Sequence, residues 1–217
     1  MAVKIEAFNI SNLSVTPFTK RDFIKGQHKD IFITNIKYKD EPFKLQVNDI
    51  ILNKYCIPPY LNPKTDKPHS KYTRSEDDPK RYCISVPVNY KLQIVLDYIN
   101  EFIENNVDQI ITYTDTQKVF FKCYKPEYLC SSGHKKPPFV NAYFRYDYTS
   151  RKITSKIYEI QDDGSKVQKE MSFKEIEDRF HNLKEATLVN MVLSIDRIWI
   201  NREDVCGIKI MIDELVL

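Results

Sequence analysis

Hydrophobic and polar positions alternate with period two over much of this chain, which predicts strands more often than helices. Ile31–Tyr38, Phe43–Leu52, Tyr82–Val88, Lys118–Lys125, Phe139–Tyr148, Lys152–Ile160, Met191–Asn201 and Cys206–Ile212 are rich in Ile, Val, Phe and Tyr. Each is bounded by Pro, Asp, Asn or Ser, the residues that end strands. Two segments repeat at helical spacing instead. Over Lys91–Asn106 the apolar residues Leu92, Val95, Leu96, Ile99, Phe102 and Ile103 share one face, and over Phe173–Leu183 a stripe runs through Phe173, Ile176, Phe180 and Leu183. Ser172 and Glu175 have the spacing of a capping box that would start the second helix. Pro58–Lys80, with five prolines, and Lys125–Pro138 read as long loops. The pattern predicts a mainly β protein with few helices, organised as a small barrel or sandwich. The OB-fold is the nucleic-acid-binding version of such a barrel, so residues 1–217 are expected to form one OB-like domain with long loops and two helical insertions.

The same alternation assigns side chains to faces. Val119, Phe121 and Cys123 point to the core from one strand, Val140, Ala142 and Phe144 from the next, and Ile153 and Ile157 from a third. Their neighbours Phe120, Lys122 and Tyr124, then Tyr143 and Arg145, then Lys152, Lys156 and Tyr158 are left facing outward. Three strands thus present the same mixture of rings and cations. Aromatic rings stack on exposed bases, worth roughly 1–3 kcal/mol per base, while Lys and Arg pair with the phosphates between them. Duplex DNA hides its base faces, so such a platform selects unpaired strands. High β-propensity of Tyr and Phe, with lysines for solubility, is the plainer account of each strand taken singly. The Pro58–Lys80 loop and the strand after it add Tyr72, Arg74, Arg81 and Tyr82 as candidate contacts, although Glu76, Asp77 and Asp78 lie among them. Trp199 lies in the largely apolar run Val192–Ile200, which reads as a buried strand.

Charge sharpens this picture. Overall the formal charge is only +3, yet residues 116–158 carry nine Lys/Arg against two acids, and residues 161–217 carry eight against twelve Asp/Glu. A concentrated basic region is the footprint of a polyanionic partner. The four glycines, Gly26, Gly133, Gly164 and Gly207, stand far apart, so no phosphate-cradling glycine loop is present. Cys123, Cys130 and His134, with Cys83 and His69 elsewhere, lack the tight Cys pair of a structural zinc site, and no metal or other cofactor is expected. No cysteine is marked as an activated nucleophile, and Asp162-Asp163-Gly164 reads as a turn rather than a carboxylate pair for a metal-dependent nuclease, so no enzymatic activity is expected. Five cysteines and an N-terminus without an apolar leader point to a reducing, cytosolic or nuclear setting, and no apolar run reaches the length of a membrane span.

The order of segments resembles the single-stranded DNA-binding proteins of large cytoplasmic DNA viruses, of the African swine fever virus type, or of related cytoplasmic linear plasmids. The residues that carry the resemblance are Pro42-Phe43-Lys44-Leu45-Gln46-Val47-Asn48, Pro137-Pro138-Phe139-Val140-Asn141-Ala142-Tyr143-Phe144-Arg145, Ser172-Phe173-Lys174-Glu175-Ile176, and Val192–Ile200 leading to Cys206-Gly207-Ile208. The resemblance implies an OB-fold core that coats and protects unpaired strands during replication in the host cytoplasm, without sequence specificity. It also implies homo-oligomers along the strand and replication proteins as partners. The residues themselves leave RNA open as the ligand. They also leave two other classes open: an interaction protein whose aromatic strands meet a protein partner, and a metal-dependent nucleic-acid enzyme.

Overall fold

The computed structural model describes residues 1–16, 19–21, 31–53, 56–57, 83–110, 119–120, 123–129, 135–182, 186–200 and 205–217. The protein is mainly β, and its principal sheet is built from nine strands: β1 (Ile31–Thr34), β2 (Lys44–Leu52), β3 (Cys83–Pro87), β4 (Val119–Phe120), β5 (Phe139–Phe144), β6 (Lys156–Ile160), β7 (Lys166–Lys169), β8 (Thr187–Ile200) and β9 (Val205–Val216). Two short strands, Val3–Lys4 and Thr19–Arg21, add to its margins by pairing with β2 and β1. The helices are α1 (Tyr90–Ile110) and α2 (Phe173–His181).

Two long strands form the spine. β8 and β9 pair antiparallel from Asn190↔Val216 to Ile200↔Cys206. The other edge of β8 pairs antiparallel with β2 and then with β1. The other edge of β9 takes three parallel partners in turn: β4 at Val205–Cys206, β5 at Ile210–Ile212, and β6 at Glu214–Val216. β3 and β7 complete the margins, antiparallel to β5 and β6. Among the described residues no sheet closes into a barrel; the sheet is mixed and open.

The inward face holds the core. Val140, Ala142 and Phe144 of β5 are buried as the alternation predicts, beside Ile210 and Ile212 of β9, Leu193 and Ile195 of β8, and Leu45 and Val47 of β2. Leu92, Val95, Leu96, Ile99 and Ile103 bury one side of α1 in the same core, and Phe173, Ile176 and Phe180 do so for α2. The rings of Phe144 and Phe173 meet edge to face, with centroids 6.2 Å apart. The capping box stands as read: Glu175 N–H donates to Ser172 Oγ at 3.2 Å, and Ser172 N–H donates to a Glu175 carboxylate oxygen at 2.7 Å. These bonds satisfy the helix's first orphan amides. Asp162-Asp163-Gly164 is the expected turn, joining β6 to β7 with Gly164 at φ 80°. Several boundaries differ from the sequence reading. The run Ile31–Tyr38 divides at Asn35, Lys152–Ile160 breaks at Thr154–Ser155, and among the described residues of Lys118–Lys125 the strand is Val119–Phe120. Within the Lys125–Pro138 loop, Tyr128–Leu129 pairs with Lys135–Lys136.

Trp199 is not the fully buried residue its apolar run suggested. Val192–Ile200 alternates: Leu193, Ile195 and Ile198 are buried inward, whereas Trp199 faces the other side and is half-buried. A bulge between Ile195 and Arg197 shifts the register, so Trp199 stands directly opposite Gly207 of β9. Its ring lies where a side chain at 207 would go: a Cβ built there would sit 2.4 and 2.7 Å from two indole carbons. Gly207→Ala should therefore push the ring aside and cost about 1–3 kcal/mol of stability, the usual range for overpacking. Since Trp199 is the sole tryptophan, a red-shifted emission together with a lowered Tm would report the displacement. Unchanged emission and Tm would show that the ring does not rest on Gly207.

Candidate nucleic-acid interface

The outward face of the sheet collects the polar and aromatic residues in cross-strand rows, because partners in register project to the same side. One row runs Lys44, Ser194, Met211, Tyr143, Cys83, from β2 through β8, β9 and β5 to β3. The next row toward Trp199 holds Arg197, Lys209, Asn141 and Ser85, where Ser85 Oγ donates to Asn141 Oδ1 at 3.2 Å. On the other side of the Tyr143 row, Gln46, Val192, Glu214 and Lys156 align, followed by Asn190, Val216, Tyr158 and Gln168. The sheet thus brings together Tyr143, Arg145, Lys156 and Tyr158, four of the residues singled out from sequence. It adds Phe139, Lys44, Arg197, Trp199 and Lys209, which sequence reasoning did not assign to this face.

Two rings of β5 carry a cation. Lys209 Nζ lies 5.8 Å from the centroid of Tyr143, and Lys125 Nζ lies 5.5 Å from that of Phe139. Both distances fall within the reach of a cation–π contact. Phe139, Asn141 and Tyr143 project from the same side of the strand, so the two rings are about 13 Å apart along it. Burial, and after it the charge of neighbouring Cys83, pushes the Tyr143 hydroxyl's pKa upward.

Arg145 occupies the expected face but is not a free cation. Its Nε donates to Asp213 Oδ1 at 2.5 Å, one Nη to Ser194 Oγ at 2.7 Å, and the other approaches Asp196 at 3.4 Å. Lys44 holds the second oxygen of Asp213 at 2.6 Å. Asp213 is the bulged residue of β9, since Val192 pairs with Glu214 while Leu193 pairs with Ile212. The bulge turns its carboxylate into the middle of the face. Burial pushes the pKa of Asp213 upward, but hydrogen bonds from Lys44, Arg145 and Ser194 outweigh it, so the carboxyl lies below its ordinary value.

Other candidates sit elsewhere. Tyr124 was expected to face outward but is buried, because Cys123 and Tyr124 form a bend outside any ladder, where alternation does not hold. Its hydroxyl donates to Asp97 of α1 at 2.7 Å, and burial followed by that bond pushes its pKa up to about 12. Lys152 lies on a separate hairpin with Tyr146–Asp147, exposed and 3.4 Å from Glu170, rather than on the sheet face. Lys156 remains on the face, 3.6 Å from Glu214. Phe120 belongs to β4, next to Cys206. Lys122, Tyr72, Arg74, Arg81 and Tyr82 lie outside the described residues, as do Cys130, His134 and His69. Among the described residues no three His, Cys, Asp or Glu side chains form a metal-binding group, and no helix is long and apolar enough to cross a membrane.

The Arg145–Asp213 cluster predicts an acid-sensitive contribution to stability. A carboxyl depressed in the folded state stabilises the fold above its unfolded pKa, near 4, and this stabilisation is lost as pH falls through the folded value. Asp213→Asn leaves Arg145 and Lys44 without their shared carboxylate and should cost about 1–3 kcal/mol at neutral pH, between a surface pair and a buried one since both cations are partly exposed. In chemical unfolding followed from neutral pH to below about 4, the gap between Asp213→Asn and the native chain should narrow. A constant gap would show that the carboxylate is not held by these cations.

No protein-family model matches the chain, and no curated protein shows significant similarity to it, so the reading of this face rests on its own chemistry.

Proposed function

We propose that the protein binds single-stranded DNA on the outward face of its sheet, coating unpaired strands during cytoplasmic replication without a catalytic step. The observation that carries the reading is the pairing of rings with lysines along β5: Phe139 with Lys125 and Tyr143 with Lys209, on a face that Trp199 and Tyr158 extend. A ring with a cation beside it offers one base a stacking partner and the adjoining phosphate a counter-charge. Across the rows around Tyr143 the cations Lys44, Arg145, Lys156, Arg197 and Lys209 face the carboxylates Asp196, Asp213 and Glu214. Because three of five charges are offset, stacking rather than charge dominates affinity in this proposal. The OB-like barrel belongs to the same proposal. It is supported by long, bulged central strands, which make a sheet coil, and by a helix over one side of it.

Fluorescence titration with oligo-dT and with duplex DNA at two salt concentrations tests the reading. Unpaired DNA should quench Trp199 and bind more tightly than duplex. Tyr143→Ala should lose roughly 1–3 kcal/mol of affinity, a loss that persists at high salt because stacking releases no counterions. Lys209→Ala should instead flatten the salt dependence by about 0.7 in slope, one phosphate contact on a single strand. Equal affinity for duplex and single strand, or full affinity in both variants, would sink the proposal.

A further inference from the structure

Asn141 stands between the two rings on the outward side of β5. It alternates with Val140 and Ala142, which are buried, and so projects with Phe139 and Tyr143. Successive residues on one side of a strand are about 6.7 Å apart, so its amide lies beside, not beneath, a base stacked on either ring. A side chain in that place meets the edge of a base, where the four bases differ.

The amide is held in one orientation. Asn141 and Ser85 of β3 are directly opposite, and Ser85 N–H donates over the other edge of β3, to Cys56 O at 2.8 Å. The two therefore form a non-hydrogen-bonded pair of the ladder, the kind whose side chains approach most closely. Ser85 Oγ donates to Asn141 Oδ1 at 3.2 Å. An amide has one acceptor oxygen and one NH2 with two donors. The oxygen is thus turned to β3 and engaged. Among the described residues no acceptor meets Asn141 Nδ2, so donors are what this side chain offers to a ligand.

On the edge remote from the sugar, thymine and guanine carry a carbonyl oxygen, whereas cytosine and adenine carry an amino group. An NH2 donor pairs with the first and is opposed by the second. The two-bond contact that asparagine makes with adenine needs both halves of the amide, and here Ser85 engages the accepting half. We infer that Asn141 reads this group and gives the platform a preference for keto bases, an inference that rests on the single-strand reading proposed above. Ser85 is a positioning residue: it acts by holding the amide and touches no base. The preference is graded, not a sequence code, because the hydrogen bond replaces one to water and is worth about two- to tenfold in affinity.

Titration of the full chain with fluorescently labelled oligo-dU and oligo-dC of equal length, at neutral pH, tests this. Uracil and cytosine share size and charge and differ at the edge in question, so stacking and phosphate contacts cancel in the ratio. The native chain should favour oligo-dU by about two- to tenfold. Asn141→Ala should abolish the preference by weakening oligo-dU, with oligo-dC bound no more weakly than before. Ser85→Ala should abolish it the other way, by tightening oligo-dC, since the released amide can turn its oxygen to the amino group. Both positions are partly exposed, so each variant should keep a near-native Tm. A preference that survives Asn141→Ala, or a native chain with no preference or one for oligo-dC, would overturn the inference while leaving the single-strand reading standing. So would Ser85→Ala weakening both strands alike, as loss of a merely structural serine does. A native chain that binds neither strand would overturn both.

Discussion

The strand β9 has two edges of backbone amides and carbonyls to satisfy, and the way it does so places every residue of the outward face. Its one edge is filled by β8 along nearly the whole length, while the other is divided among three short parallel strands. Buried backbone groups left unpaired are costly, so the junctions between successive partners need polar side chains. Ser155 fills the junction between β5 and β6: its hydroxyl donates to Ile212 O at 2.6 Å and accepts from Arg145 N–H at 2.8 Å. The bulge at Asp213 lies at the same level of β9. One irregularity thus ends β5, begins β6 and turns a carboxylate toward Arg145.

That junction explains why part of the site was legible in the sequence and part was not. Alternation holds wherever a strand is continuous, so Val140, Ala142 and Phe144 fell inward and Tyr143 and Arg145 outward as read. Alternation fails once the chain leaves the ladder. Tyr124 follows a two-residue strand, and its ring turns into the core to reach Asp97. Lys152 precedes the break at Thr154–Ser155 and ends on another hairpin. Trp199 was misplaced for a different reason: Ser194, Asp196 and Arg197 interrupt the run Val192–Ile200, and only the bulge after Ile195 sets which residues lie inward. Lys209 and Arg197 came from a segment whose average charge is acidic, so a regional count could not find them. The capping box and the Asp163-Gly164 turn were legible because they depend on residues a few positions apart.

Neutralisation decides what kind of binding surface the outward face can be. A free arginine at Arg145 would contribute a phosphate contact, but here the guanidinium is committed to Asp213, Asp196 and Ser194. Releasing it would leave Asp213, nearly buried, with Lys44 as its remaining cation. Breaking such a pair costs several kcal/mol when buried and less near the surface, against the modest return of one screened phosphate contact. The cluster is therefore better understood as a brace between β2, β8, β9 and the end of β5 than as part of the ligand contact. Arg197 is held in the same way by Asp196, at 2.7 and 2.8 Å, so the cations that sit beside rings on this face are Lys209 at Tyr143 and Lys125 at Phe139. On the proposed reading such a surface meets bases more than phosphates, which separates a stacking platform from a merely basic patch.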